Sequence, residues 1–133
     1  MIAGMRPALL PGQFQFCTLT DVDLIARALP FALAMFREEE GVSLIIADHK
    51  AAEFGLPLGS PMRQITLTVF SSLDGVGLTA AIAGMLADHG IACNMVSAYH
   101  HDHAFVPAAM ADRALSLLAA LAAATMAAPG GAV

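Results

Sequence analysis

The stretch QITLTVFSSLDGVGLTAAIAGMLADHG, from Gln64 to Gly90, decides the fold. Ile65, Leu67 and Val69 alternate with Thr66 and Thr68, which is the two-residue period of a strand with one apolar face. A polar loop follows, Ser71-Ser72-Leu73-Asp74-Gly75. Leu78, Ile82, Met85 and Leu86 then recur at helical spacing, which predicts a helix from Val76 to His89. Gly90 suits the left-handed position that ends a helix. Ile91 to Tyr99 reads as a second strand. After a single crossover helix it is expected beside the first strand and parallel to it.

Downstream, His100 to His103 reads as a turn and Ala104 to Val106 as a short strand. Pro107 opens a last helix that runs to about Thr125. Upstream, the first twelve residues hold two prolines and two glycines and are expected to be irregular. Gln13 to Leu19 alternates as a strand. Thr20 or Asp21 can cap a helix that runs to Leu29, where Pro30 breaks it. Phe31 to Phe36 and Val42 to Ala47 flank Arg37-Glu38-Glu39-Glu40-Gly41 and read as a charged hairpin. Asp48 is expected to cap a short helix, His49 to Phe54, closed by Gly55. Leu56 to Met62 contains Pro57, Gly59 and Pro61 and reads as a linker.

The pattern strand–helix–strand–strand–helix thus occurs twice, with no repeat of sequence. It predicts an α+β fold of two ferredoxin-like subdomains, antiparallel-rich sheets with helices on one face. The expected division is residues 1–60, residues 61–125 and a flexible tail, 126–133. Each half is one strand short of a βαββαβ unit. The missing strands could be shared between the halves, or come from the N-terminal segment or a partner chain.

Composition narrows the function. The chain has 133 residues, 58% apolar and 13% charged, with mean hydropathy +0.71. It is too apolar for disorder. So much apolar surface in a small chain points to a subunit interface, and a homodimer is expected. Six Lys and Arg against eleven Asp and Glu leave a net charge of −5, which excludes a nucleic-acid-binding basic patch. No signal peptide is evident, and Ala114 to Ala128 is too short to span a bilayer, so the expected place is the cytoplasm. Cys17 and Cys93 sit in apolar runs and are expected to be buried and reduced.

Four groups could carry chemistry. In the turn Ser71 to Leu78, free N–H groups at a helix start can receive a carboxylate, and Asp74 beside them can accept from an ammonium. Together they suit the main-chain end of a free amino acid. The plain alternative is a capped turn in which Asp74 bonds Gly77 or its neighbour. Gly75-Val76-Gly77-Leu78-Thr79-Ala80 also satisfies a dinucleotide fingerprint, but a loop separates it from the strand and the chain holds too few strands. His100-His101-Asp102-His103 suggests metal chemistry, yet no second ligand cluster accompanies it, so a polar hairpin turn is expected and no metal. Arg37-Glu38-Glu39-Glu40 is either a solvated turn or a reader of a cationic group. Asn94, between Cys93 and Met95, needs partners for its amide on a half-buried strand. No activated nucleophile is visible, so no catalytic residue and no cofactor is assigned.

Ile65 to Leu73, Val76 to Ala81, Gly90-Ile91-Ala92-Cys93-Asn94 and His101-Asp102-His103-Ala104-Phe105-Val106-Pro107 closely resemble a family of small bacterial ACT-domain proteins. Phe36 to Gly41, and Pro11-Gly12 with the strand around Phe16-Cys17, resemble it too. The likeness covers roughly residues 8 to 124. It extends to the tandem ACT units of the eukaryotic cytosolic arginine sensor. The resemblance implies a βαββαβ fold and a regulatory module that binds an amino acid at a domain or subunit seam. It implies ligand contacts at Asp74, Val76, Gly77 and Leu78, with Ser72 in the same turn and Asn94 and Met95 opposite. Most ACT modules are attached to an enzyme or a transcription regulator, and this chain shows neither, so no enzyme is expected and a regulated partner is a separate protein or absent. The rival expectation is an ACT-type dimerisation module with no small ligand, and a third is metal binding at the histidine turn.

Overall fold

The structure is a computed structural model that describes residues 5–68 and 77–127, with side chains to residue 124. The chain divides into two compact units. One is Gly12–Met62; the other joins the N-terminal segment ending at Pro11 to the chain from Arg63 onward.

Gly12–Met62 contains β2 (Phe14–Leu19), α1 (Val22–Ala28), β3 (Ala32–Glu38), β4 (Gly41–Ala47) and α2 (Asp48–Glu53). The strands lie in the order β3-β4-β2, all antiparallel, with Cys17 opposite Leu44 and Phe36 opposite Ser43. Leu19, Leu44 and Ile46 face Ala28 of α1 and Ala51 of α2 in one core. Asp21 caps α1 as expected, its carboxylate accepting from Leu24 N at 3.0 Å. Pro30 ends α1 in a 3-10 turn, Leu29–Phe31. The charged hairpin turn is exposed, and Ser43 Oγ donates to the Glu38 carboxylate. Gly41 starts β4 so close to β2 that a Cβ there would meet the Leu19 carbonyl oxygen at 2.9 Å.

Two expectations are corrected in this unit. Asp48 is the first residue of α2, not its cap, and its carboxylate instead accepts from Gln15 Nε2. The stretch read as a linker belongs to the unit. Leu56 is buried in the core, and Gly59 clamps Gln15 through Gly59 N–Oε1 at 2.9 Å and Nε2–Gly59 O at 3.0 Å. Gln15 is 2% exposed, so these bonds satisfy an amide that would otherwise be costly to bury.

The other unit contains β1 (Arg6–Leu9), β5 (Met62–Thr68), α3 (Leu78–Asp88), β6 (Asn94–Ser97), β7 (Asp102–Pro107) and α4 (Ala111–Ala127). Its strands lie in the order β1-β5-β7-β6. Arg6–Leu9, expected to be irregular, is therefore a strand. Arg6–Leu9 pairs antiparallel with β5, Leu9 opposite Ile65, and supplies the strand this half lacked. Leu10 N extends the ladder to Gln64 O at 2.9 Å, and Arg63 Nη2 donates to Leu10 O at 2.9 Å.

The strand after α3 is likewise corrected. β6 lies at the sheet edge and β7 sits beside β5. The crossover skips one position, and the β6–β7 hairpin fills it with the returning strand. The turn is also shifted: Ala98 N bonds His101 O at 3.0 Å, while Asp102 and His103 are already in β7. Ile65 and Leu67, with Ala104 and Val106, face Leu78, Ile82 and Leu86 of α3 and Ala114 and Leu118 of α4. One core thus places both helices on one sheet face. α4 presents alanines at Ala111, Ala114 and Ala122, which let it approach the sheet closely.

Met5, just before β1, is 3% exposed and packs in this core. Met5→Ala should cost about 2–5 kcal/mol, as buried methionine truncations do. Urea unfolding checks this; a loss near zero would mean that the N-terminal segment is not part of the unit in solution.

Candidate functional site

The described part of the site begins at Gly77. Ser72, Asp74 and Val76 lie outside the described residues. Gly77 is the residue before α3, with φ +97° and ψ −20°. Its carbonyl accepts from Ala81 N at 3.0 Å, which starts the helix ladder. A Cβ on Gly77 would meet nothing within 4 Å, so glycine is required by the left-handed backbone and not by space.

The two first helices differ at their starts. α1 satisfies a first-turn donor with the Asp21 carboxylate. α3 begins at a glycine, which brings no side chain to its donors. A helix start of that kind carries partial positive charge and suits a carboxylate.

The structure assigns different surroundings to the other site residues read from the sequence. Leu78 is 7% exposed and its side chain belongs to the core. Met95 packs against the same core. Leu78 can therefore offer a ligand its main chain, whereas Met95 is only partly buried. Asn94 opens β6, opposite Phe105, and is exposed. Its exposure corrects the expectation of a half-buried Asn. Strand alternation puts it on the face away from Met95.

Sequence reading missed a polar cluster on the helix-free face of β5 and β7. His103 Nδ1 lies 3.1 Å from Gln64 Nε2 and 3.1 Å from Thr66 Oγ1, and the last two atoms are 3.4 Å apart. Gln64 is 5% exposed. Burial, then the charge of His101, hold the His103 imidazole below the usual histidine range, and Asp102 opposes them. The only signal for the cluster was the polar side of the β5 alternation. Its partner on β7 depends on a strand order that the pattern did not reveal.

Among the described residues, no group of three His, Cys, Asp or Glu side chains is placed to hold a metal. Cys17 and Cys93 are free and half-buried, and burial pushes both thiols up, away from the reactive thiolate. Among the described residues, no helix is long and apolar enough to cross a membrane.

Residues 1–63 match one ACT-domain family model and residues 59–120 match another. A Vibrio cholerae protein of unknown function, described as a possible transport protein, is 40% identical. The match covers 91% of this chain and 92% of that one, with a TM-score of 0.82. An Agrobacterium tumefaciens protein is 17% identical over 89% of each chain, with a TM-score of 0.71. The ligand-free regulatory subunit of aspartate kinase from Thermus thermophilus shares the fold at 11% identity, with a TM-score of 0.65 over 86% of this chain and 95% of that one. No curated protein matches the sequence.

Gly77→Ala should lower stability by about 1 kcal/mol or more, because alanine resists the left-handed backbone even where space is open. Chemical denaturation of the variant checks this. A neutral or stabilising effect would show that α3 does not start from this conformation.

Proposed function

We propose a regulatory role, starting from the fact that this chain belongs to the ACT-domain family, as two tandem ACT domains with the non-catalytic fold of a regulatory module. ACT domains are typical of amino-acid-binding regulation, and aspartate kinase regulatory subunits are among the structural neighbours. In this reading the protein is a cytoplasmic sensor that binds a free amino acid, or a similar small carboxylate, at a domain or subunit seam. The single observation that supports it best is the start of α3: a left-handed glycine, with no side chain of its own, at the head of an 11-residue helix. The ligand carboxylate meets the main-chain N–H groups of Gly77 and Leu78. In this reading Asp74 and Asn94 receive the ammonium or main-chain polar groups, and Ser72, Val76 and Met95 belong to the same ligand site.

A thermal-shift panel of amino acids and common metabolites tests this. Ligand at a hundred times its dissociation constant should add about 2.7 kcal/mol of stability. For a chain of this size that is a rise in Tm on the order of 10 °C. Asp74→Ala should then weaken binding by about 1.5–3 kcal/mol, the range for a bond to a charged group. A flat panel would sink the sensor reading.

A second reading draws on a different observation. Leu33, Met35 and Phe36, on the outer strand β3, are 49%, 40% and 71% exposed. An edge strand with exposed apolar side chains invites pairing with another chain. In this reading the protein is a homodimer built on β3, whether or not it binds a ligand. Phe36→Lys should shift the oligomer toward monomer in light scattering at fixed concentration. An unchanged mass would remove β3 from the interface.

A further inference from the structure

We propose that Gln64, Thr66 and His103 form a proton-sensitive clasp between β5 and β7 that controls the ligand site. The control rests on the sensor reading above; the clasp itself does not.

With the Gln64 amide nitrogen turned to the ring, the clasp requires a neutral imidazole whose proton is on Nε2. Thr66 Oγ1 and Gln64 Nε2 both lie 3.1 Å from His103 Nδ1. A bare Nδ1 accepts from the hydroxyl and from the amide together. A proton on Nδ1 turns the acceptor into a donor. Thr66 can rotate its hydroxyl and accept. The Gln64 amide then faces a donor with its own N–H, so it must flip or withdraw. Gln64 is 5% exposed, and a buried amide that loses its partner is costly.

The clasp also sits where movement would matter. Ile65 and Leu67 of β5 share a core with Leu78 at the start of α3. Across the hairpin, His103 pairs with Val96, and Asn94 with Phe105, so the ring is registered on the strand that carries Asn94 and Met95. A shift of β7 against β5 therefore moves Asn94 and Met95 on β6 relative to Leu78 at the start of α3, which packs on β5. The titratable neighbours of His103 are His101, whose ring centroid is 6.4 Å away, and Asp102 on the same strand. Gln64 and Thr66 on β5 are uncharged, as is Val96 on β6.

The sign follows from linkage. The folded chain holds His103 below its ordinary value, so just below pH ~6.5 the unfolded chain binds more protons. Stability from this group is present above that pH and falls as pH drops toward the folded value.

Proton NMR of the ligand-free protein from pH 7.5 to 5 tests the clasp. The His103 ring should titrate at lower pH than the same ring in urea-unfolded protein, and the Gln64 side-chain amide signals should move with it. His103→Gln should abolish that coupled movement while keeping an acceptor. A His103 titration at or above the unfolded value, or Gln64 signals that stay still, would overturn the clasp. For the amino acid with the largest thermal shift, affinity should fall at least about threefold from pH 7.5 to 5.5, as the competent fraction falls. It should stay level in His103→Gln. Equal affinity at both pH values, with the NMR result intact, would overturn the control and leave the sensor reading standing. A flat thermal-shift panel would overturn the sensor reading and the control together, while the NMR result would still decide the clasp.

Discussion

The pairing of β1 with β5 is the constraint on which the second unit depends. Without Arg6–Leu9, β5 would be the outer strand of that unit, with an open row of amide and carbonyl groups. Met5 would leave the core as well. The chain solves this with Arg6–Leu9, although nearly all of Gly12–Met62 lies between that strand and β5. The two units are therefore not consecutive pieces of sequence. Folding of the second unit requires a contact of long sequence separation, which is slow to find but closes the sheet.

Buried polar side chains then tie particular strands together. Gln15 holds Asp48 and Gly59 to β2. Gln64 holds Thr66 and His103 across β5 and β7. Each is an amide almost removed from water. Such a group favours one arrangement over its neighbours, because a slip by one residue would leave it unsatisfied. The difference lies in the partner. The Gln15 network contains a carboxylate, whereas the Gln64 network contains an imidazole.

Much of the local structure was legible. The period of Ile65 and Leu67, the stripe Leu78-Ile82-Leu86 and the cap Asp21 each act over a few residues, and each appears where expected. The errors have a common cause. Arg6–Leu9 carries Pro7, and its four residues show no strand signal by themselves; only the open edge of β5 makes it a strand. Asp48 looks like a cap, yet a buried Gln15 takes its carboxylate. Asn94 looks half-buried between apolar neighbours, yet it opens an edge strand. In the candidate site, the glycine at the head of α3 was legible because a backbone requirement is local. The clasp was not, since its members lie on strands made adjacent by the sheet.

The sequence by itself determined the element types, the doubled strand–helix–strand–strand–helix pattern, the helix-facing apolar positions and the ACT-family likeness. These follow from side-chain period, turn chemistry and motif, which are properties of neighbouring residues. Only the tertiary structure decided the strand order β1-β5-β7-β6, the seat of β1 in the second unit and the meeting of Gln64, Thr66 and His103. Those depend on which backbone edges and buried amides find partners, and that is settled between residues far apart in the chain.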